Sequence, residues 1–272
     1  MIRHTPSHGR ISRQIDHIDD NIATPADRSA FESWVRRTFA PVGEQLGWTP
    51  QPNDSEEQRA RRADLLALVG GVGHDPKLIE LSRQLTEKAL HGEAVDPTLL
   101  YTALSIAGRN GDTALYDAIQ KRAETATSPE DMFRYLGALG DFRAPALVER
   151  SLEYAISPHV RSQDAPFLID SLLSNHDTQD QAWDFIRQHW PQVQAKLTNF
   201  SATAVVNGAG NFCDPSHKQQ VQDFFAQHPI PAAQRALEQS LEFIGNCIDL
   251  KTEQAPKLAS WLQRQGGGNQ AQ

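Results

Sequence analysis

The chain has 272 residues, of which 39% are hydrophobic, so it is long enough to bury a sizeable core. Its 26 Lys and Arg residues stand against 34 Asp and Glu residues, and the net charge of -8 repels a phosphate backbone, which argues against nucleic acid as a partner. The apolar runs are far shorter than the roughly 20 residues of a membrane-spanning helix, and no apolar signal sequence begins the chain. We therefore expect a cytoplasmic protein with no membrane partner. Cys213 and Cys247 are predicted to be free thiols in a reducing compartment, with a single disulfide as the alternative.

Six residues that can cap a helix are followed directly by proline. They are Thr24-Pro25, Asp75-Pro76, Asp96-Pro97, Ser128-Pro129, Ser157-Pro158 and Asp214-Pro215. The capping side chain can accept a hydrogen bond from a backbone N–H of the first helical turn, and proline at the next position loses only an N–H that has no partner there. The six pairs therefore predict six helix starts.

Apolar residues recur at intervals of three and four along nearly the whole chain, which is typical of amphipathic helices. The first such stripe is Ile11, Ile15, Ile18 and Ile22, and the clearest is Trp183, Ile186, Trp190, Val193 and Leu197. Pro191 lies inside the second stripe, so we expect a kink or a helix break there. No segment alternates apolar and polar residues for long enough to predict a strand.

These patterns predict an all-α fold of about fourteen helices. Between residues 96 and 231 the helix starts and loops recur at roughly 30 to 40 residues, the period of helical repeat proteins. We therefore predict an irregular HEAT- or armadillo-like α-solenoid, a curved bowl of antiparallel helix pairs, rather than a globular bundle. The predicted organisation is a flexible segment 1–10, a single domain 11–265 with a loop near 49–56, and a flexible tail 266–272.

Catalytic and metal-binding patterns are largely missing from the sequence. His4 and His8 have the spacing of a helical zinc pair, but threonine follows His4 where a metallopeptidase needs glutamate, and Pro6 lies between them. The segment GGVGH at 70–74 lacks the preceding strand and the Gly-Lys-Ser/Thr ending of a phosphate-binding loop, so we interpret it as a helix end. We predict no catalytic residue and no metal site in this chain.

The segment VRSQD at 160–164 contains the candidate site residues. Arg161 and Gln163, in a short connection between two helices, can reach into a groove or a domain interface, where the planar guanidinium can hold a carboxylate. Asp164 precedes Ala165-Pro166 and is predicted to hold the turn as a helix N-cap. The structural alternative is that Arg161 only pairs with Asp164 or with a backbone carbonyl at a helix C-terminus.

Five blocks of the sequence carry a resemblance to a known family: FESWVRRTFAPVGEQLGW at 31–48, VRSQD at 160–164, AWDFIRQHW at 182–190, VQDFFAQHP at 221–229 and QRALEQSLEFIGNCIDL at 234–250. In the same order, they resemble the carboxy-terminal domain of the aminopeptidase N family, above all its puromycin-sensitive and endoplasmic-reticulum members. The resemblance extends over nearly the whole chain, from about residue 11 to residue 264.

The resemblance implies that this chain works as one domain of a larger enzyme. Members of this family are zinc-dependent peptidases whose last domain is a bowl of HEAT-like helix pairs. That domain packs on the catalytic domain and helps to enclose the peptide cavity. In some members it also contacts the far end of the substrate. Their zinc motif HExxH and their Gly-Ala-Met-Glu-Asn motif belong to earlier domains and do not occur here.

We therefore expect a non-catalytic domain without a cofactor of its own, whose partners are the zinc-containing catalytic domain and the peptide substrate. Arg161 and Gln163 are then expected to contact the groove or the domain interface. One alternative is a free-standing HEAT-like adaptor that binds a protein through its concave face. A third is a subunit or inhibitor that acts in trans on a separate catalytic chain.

Overall fold

A computed structural model describes residues 9–198 and 201–267. Within these residues the chain forms fourteen α-helices, two short 3-10 helices and one π-helical segment, with no β-strand. The predicted all-α class and number of helices are confirmed. The predicted terminal segments, 1–10 and 266–272, lie mostly outside the described residues, as do His4 and His8. None of the helices in the described ranges is long and apolar enough to cross a membrane.

The chain divides into two compact units. Unit 1 comprises the described residues of Met1–Asn110 and Glu253–Gln272, and unit 2 is Gly111–Thr252. The prediction of a single solenoid domain over 11–265 is not tested by this division and stays a prediction.

Unit 1 is built on helices from the first part of the chain and on the end of the last helix. Its elements are α1 (Gly9–Asn21), α2 (Arg28–Leu46), α3 (Glu56–Leu66), the π-helix Ala67–Val72, α4 (Pro76–Leu90), α5 (Pro97–Arg109) and the last part of α14 (Gln234–Gly267). Phe31, Leu66 and Leu262, from three different helices, are buried in one apolar core. The ring of Trp34 meets that of Trp261 edge to face, with centroids 5.1 Å apart.

A buried arginine ties the loop between α2 and α3 to the second of these helices. The Nε of Arg62 donates to the carbonyl oxygen of Gly47 at 2.7 Å, and its Nη2 lies 2.8 Å from Oδ2 of Asp54. Only 1% of the Arg62 side chain is exposed. The charge is therefore held by loop groups rather than by water, as a buried guanidinium requires.

The glycine-rich segment 70–74 ends one helix and leads to the next, as predicted. The chain passes from the π-helix through Gly73 to His74, whose φ is 47°, and Asp75 then caps α4. A Cβ atom at Gly73 would lie 2.6 Å from the carbonyl oxygen of Val69, so the close return of the backbone requires glycine.

Unit 2 contains the middle helices and the first part of α14. Its other elements are α6 (Thr113–Thr125), α7 (Pro129–Ala138), the 3-10 helix Leu139–Asp141, α8 (Pro145–Ile156), α9 (Ala165–Leu173), α10 (Gln179–Gln188), α11 (Trp190–Lys196), α12 (Ala202–Ala209), α13 (Pro215–Gln227) and the 3-10 helix Pro231–Ala233. The predicted break occurs between α10 and α11, so that Pro191 lies in the first turn of α11. Trp183 is fully buried, and its ring centroid lies 6.0 Å from Phe212 and 5.2 Å from Phe224.

Four of the six predicted helix starts are confirmed. Asp75, Asp96, Ser128 and Asp214 each accept a hydrogen bond from a backbone N–H of the following first turn. In addition, Ser55 forms a reciprocal capping box with Gln58 at the start of α3, where no proline follows the capping residue.

The other two helix-start predictions are wrong. Thr24-Pro25 opens a turn, and α2 begins only at Arg28; the Thr24 hydroxyl donates to the Asp27 carboxylate at 2.5 Å. Ser157 caps the C-terminus of α8 and donates to the carbonyl oxygen of Tyr154 at 2.7 Å. In both cases the polar side chain finds a nearer partner than the N–H groups of a following helix.

The prediction of free thiols is also wrong. Cys213 and Cys247 form a disulfide with their Cα atoms 5.3 Å apart, and 34 positions separate them in the chain. The two residues meet because α14 packs beside the connection between α12 and α13. Sequence spacing alone does not report such a contact.

Candidate functional site

The candidate residues lie in the connection 157–164 between α8 and α9. The side chain of Val160 is buried, whereas Arg161 and Gln163 are exposed. The backbone N–H groups of Asp164 and Ala165 both donate to the carbonyl oxygen of Arg161, at 2.9 and 3.0 Å. The segment is therefore a closed turn that presents Arg161 and Gln163 on its outer side.

Arg161 and Asp164 form an ion pair within this turn. The Arg161 Nε donates to Oδ2 of Asp164 at 2.5 Å, and the Asp164 side chain is 7% exposed. Asp164 occupies the N-cap position of α9, but its side chain makes no hydrogen bond to the helix backbone. The structural alternative for Arg161 is thus present. The Arg161 side chain nevertheless stays 57% exposed, and a guanidinium has five N–H donors.

Lys196, which sequence reasoning missed, fixes the start of the same connection. Its Nζ donates to the carbonyl oxygens of Ser157 and Val160 at 2.5 and 2.6 Å. Burial lowers the pKa of Lys196. Lys196 ends α11 and lies 39 and 36 positions from its two partners, so no local motif marks it. It satisfies the carbonyl group of Ser157 at the C-terminal end of α8, where a positive charge is favourable, and that of Val160 farther along the turn.

A cavity of about 480 Å³ opens beside the turn and includes Arg161 and Asp164 in its wall. Gln163 is not among the residues that line it. The remainder of the wall mixes apolar and polar groups. It consists of Ala123, Glu124, Ala126, Thr127, Ser128, Pro129, Met132, Leu136, Tyr154, His159 and Val160.

The polar groups of the cavity wall are arranged in pairs. Burial and the nearby charge of Glu124 raise the pKa of Tyr154, which therefore stays protonated. The ring of His159 stacks on that of Tyr154 with centroids 6.3 Å apart. With Arg161 bound to Asp164, the wall provides an aromatic surface, one cation and two carboxylates.

The described residues of the cavity wall include groups that can bind a ligand, among them the rings of Tyr154 and His159 and the guanidinium of Arg161. The wall has no serine, cysteine or threonine in hydrogen bond to a histidine, which nucleophilic catalysis would use. Across residues 9–198 and 201–267, no group of three or more His, Cys, Asp or Glu side chains could hold a metal ion.

Comparison with known proteins assigns the chain to a family. The sequence model of the ERAP1-like C-terminal domain matches residues 8–246, well over half of the chain. The chain belongs to the ERAP1-like C-terminal domain family. The resemblance to aminopeptidase carboxy-terminal domains, inferred from the five blocks, is thereby confirmed.

Relatives of this ERAP1-like domain are aminopeptidases. Aminopeptidase M1-D of Oryza sativa subsp. japonica is 25% identical over 231 residues, which cover 81% of this chain and 26% of that protein. Aminopeptidase 2 of Candida albicans is 21% identical over 88% of this chain and 26% of its own length. Aminopeptidase N of Bos taurus is 26% identical over 79% of this chain and 23% of its own length. The chain thus spans about a quarter of the length of the curated relatives it matches.

The family match includes the whole candidate site of the ERAP1-like domain. The turn 157–164 and Lys196 both lie within residues 8–246. The match ends one residue before Cys247, so it includes only the first of the two disulfide-bonded cysteines.

Proposed function

We propose that this chain is the non-catalytic C-terminal domain of a zinc aminopeptidase that removes N-terminal residues from peptides. The observation that carries the proposal is the ERAP1-like family match, combined with relatives of which the chain spans about a quarter. The domain packs on the catalytic domain, helps to enclose the peptide cavity and confines or gates the substrate. Zinc and the hydrolytic step belong to the catalytic domain.

Within this proposal the turn 157–164 contacts the peptide or the domain interface. Arg161 uses Nε for Asp164 and has further N–H donors for a carboxylate. Gln163 adds an exposed amide on the same turn, outside the neighbouring cavity. Asp164 and Lys196 keep the turn in shape, the first through Arg161 and the second through two carbonyl groups.

The test substitutes Arg161 in the enzyme that contains this domain and its catalytic domain. We expect Arg161→Ala to raise KM several-fold for longer peptides, or to change the preferred peptide length, with little effect on an aminoacyl arylamide. Arg187→Ala is the matched control, because Arg187 is also an exposed arginine paired with an aspartate three residues away, and it does not line the cavity. Equal kinetics of Arg161→Ala and wild type at every peptide length would remove the role of Arg161.

A separate experiment tests the non-catalytic assignment. The chain alone, supplied with zinc, is expected to release no product from an aminoacyl arylamide. Release at an enzyme-like rate would overturn the assignment. Co-purification with a separately encoded catalytic chain would instead support the alternative in which the domain acts in trans.

An exposed aromatic pair favours the adaptor as a second candidate function. Phe133 of α7 and Phe167 of α9 are 45% and 53% exposed, and their rings meet edge to face at 5.6 Å. Exposed aromatic side chains are enriched in protein interfaces. If the chain is an adaptor, a partner protein should bind the wild type but not the double variant Phe133→Ala/Phe167→Ala. Tyr101→Ala is the control and should keep the binding, because Tyr101 is 68% exposed but lies in the other unit.

A further inference from the structure

We propose that the Cys213–Cys247 disulfide is a clasp that holds α14 to the connection between α12 and α13, and that the protein acts with this clasp closed, in an oxidising compartment. The proposal is independent of the aminopeptidase assignment. It opposes the cytoplasmic location predicted from the sequence, because disulfides persist in oxidising compartments and are rare in the cytosol.

The disulfide lies in the part of α14 where few side chains are buried. Of the residues 234–252, all of which the structure describes, only Ser240 and Ile244 are buried. Ser240 donates its hydroxyl to the carbonyl oxygen of Val206 at 3.0 Å. Cys247 follows Ile244 by one helical turn, so the covalent bond begins where apolar burial ends.

The partner of Cys247 is held in place by its own surroundings. Phe212, directly before Cys213, is 1% exposed, and its ring stacks on His217 at 4.1 Å. Asp214, directly after it, caps α13 and binds Nδ1 of His217 at 2.6 Å. The connection therefore keeps its position without the disulfide, and opening the clasp loosens the part of α14 at 241–252 instead.

The thiol chemistry of the clasp is a two-electron exchange. Closing it oxidises two thiols to one disulfide and releases two protons and two electrons, which oxidised glutathione takes up as it becomes two glutathione thiols. Both cysteines are only partly buried, so a small thiol can reach the bond. The 34-residue separation makes the loop long enough for the cross-link to restrict the unfolded chain substantially.

Hydrogen exchange on the full chain tests the clasp directly. The chain has only two cysteines, so a reductant acts on this pair alone. We expect reduction to raise amide exchange in 241–252 at least tenfold, to leave α9 and α10 unchanged, and to lower Tm by roughly 10 °C. The control Cys213→Ser/Cys247→Ser should have the amide exchange of the reduced wild type, and the reductant should not change that exchange. Equal exchange of 241–252 in the oxidised and reduced wild type would overturn the clasp.

Acid quenching and alkylation of thiols in the source cells test the compartment. If the disulfide is closed in the cell, mass spectrometry should find Cys213 and Cys247 without alkyl groups in most molecules, because only free thiols are alkylated. Two alkyl groups on most molecules would show reduced thiols in the cell, and the proposed compartment would be wrong whatever the exchange data show.

Discussion

The two units of this chain are both helical, yet they hold their connections in different ways. Unit 1 fixes backbone with buried or half-buried arginines: Arg62 binds the loop at Gly47 and Asp54, and Arg36 donates to the carbonyl oxygen of Gly73. Unit 2 fixes the connection 157–164 in a similar way, through Lys196, but it also has packed aromatic rings around Trp183 and one disulfide. An aromatic core loses stability through cavities, whereas a buried charge loses it when one partner is removed. The two units should therefore respond to different substitutions.

The largest expected effect is a cavity in unit 2. Trp183→Ala removes a fully buried ring that contacts Phe212 and Phe224, so we expect a loss of about 3 to 5 kcal/mol in the free energy of unfolding. Urea denaturation followed by circular dichroism measures it. Phe243→Ala, at a side chain that is 62% exposed, should change stability by less than about 0.5 kcal/mol. A loss below about 1 kcal/mol for Trp183→Ala would contradict the importance of the aromatic core.

The second largest expected effect is the removal of the buried charge of Arg62 in unit 1. Arg62→Met keeps much of the buried volume but leaves the carbonyl group of Gly47 without its donor, with an expected cost of about 3 kcal/mol. Hydrogen exchange should rise first in the loop 47–55. Its neighbour Arg61 is exposed, so Arg61→Met is the matched control and should leave both stability and loop exchange unchanged. If the two methionine variants behave alike, the loop does not depend on the buried charge.

One partly buried carboxyl group in each unit should make stability depend on pH. Burial and the charge of Asp20 raise the pKa of Asp16 in unit 1 to about 6, and burial raises the pKa of Asp170 in unit 2 to about 6. Between about pH 4 and pH 6 the folded chain keeps protons that the unfolded chain has lost, so stability falls as pH rises through this window. Asp16→Asn and Asp170→Asn should each stabilise the protein by about 1 to 2 kcal/mol at pH 8 and show no gain below about pH 4.

Added salt should distinguish the cause of the pKa shift in unit 1 from that in unit 2. The shift of Asp16 arises partly from neighbouring carboxylates, whereas that of Asp170 arises from burial and is opposed only by Ser174. Added salt screens charges but not burial, so the gain of Asp16→Asn should shrink at high salt and that of Asp170→Asn should persist. Thermal unfolding at pH 4 and pH 8, with Asp249→Asn at an exposed position as control, measures both effects. A pH-independent gain in either variant would rule out ionisation as its cause.

The smallest expected effects are those of helix caps, and here the units should not differ. Ser55 in unit 1 and Ser128 in unit 2 each accept a hydrogen bond from a backbone N–H at 3.2 and 3.1 Å. Ser55→Ala and Ser128→Ala should each cost about 1 kcal/mol, because a cap acts on its own first turn. Ser162→Ala, at an exposed position of the 157–164 turn, should be neutral. A cost that differed strongly between Ser55 and Ser128 would mean that packing around the cap matters more than the hydrogen bond.

Helices were predictable because their signals are local. The break before Pro191 and the caps Asp75 and Ser128 follow from interactions within one or two turns, and the structure has them where they were predicted. Thr24 and Ser157 carry the same local signal and failed, because their hydroxyl groups bind other nearby acceptors. The candidate turn was found through Arg161 and Asp164, which are three residues apart and form an ion pair.

The sequence by itself determined the all-α class, four of the helix starts and the family, since periodicity, capping chemistry and ordered blocks of residues are properties of the chain alone. Tertiary structure alone decided that Lys196 supports the candidate turn, that Arg62 holds the loop 47–55 and that Cys213 meets Cys247. The first and last of these contacts join residues more than 30 positions apart, and the second joins α3 to Gly47 and Asp54 of the preceding loop. Such pairs form only when packed helices bring them together, and no short-range pattern encodes which pairs will meet.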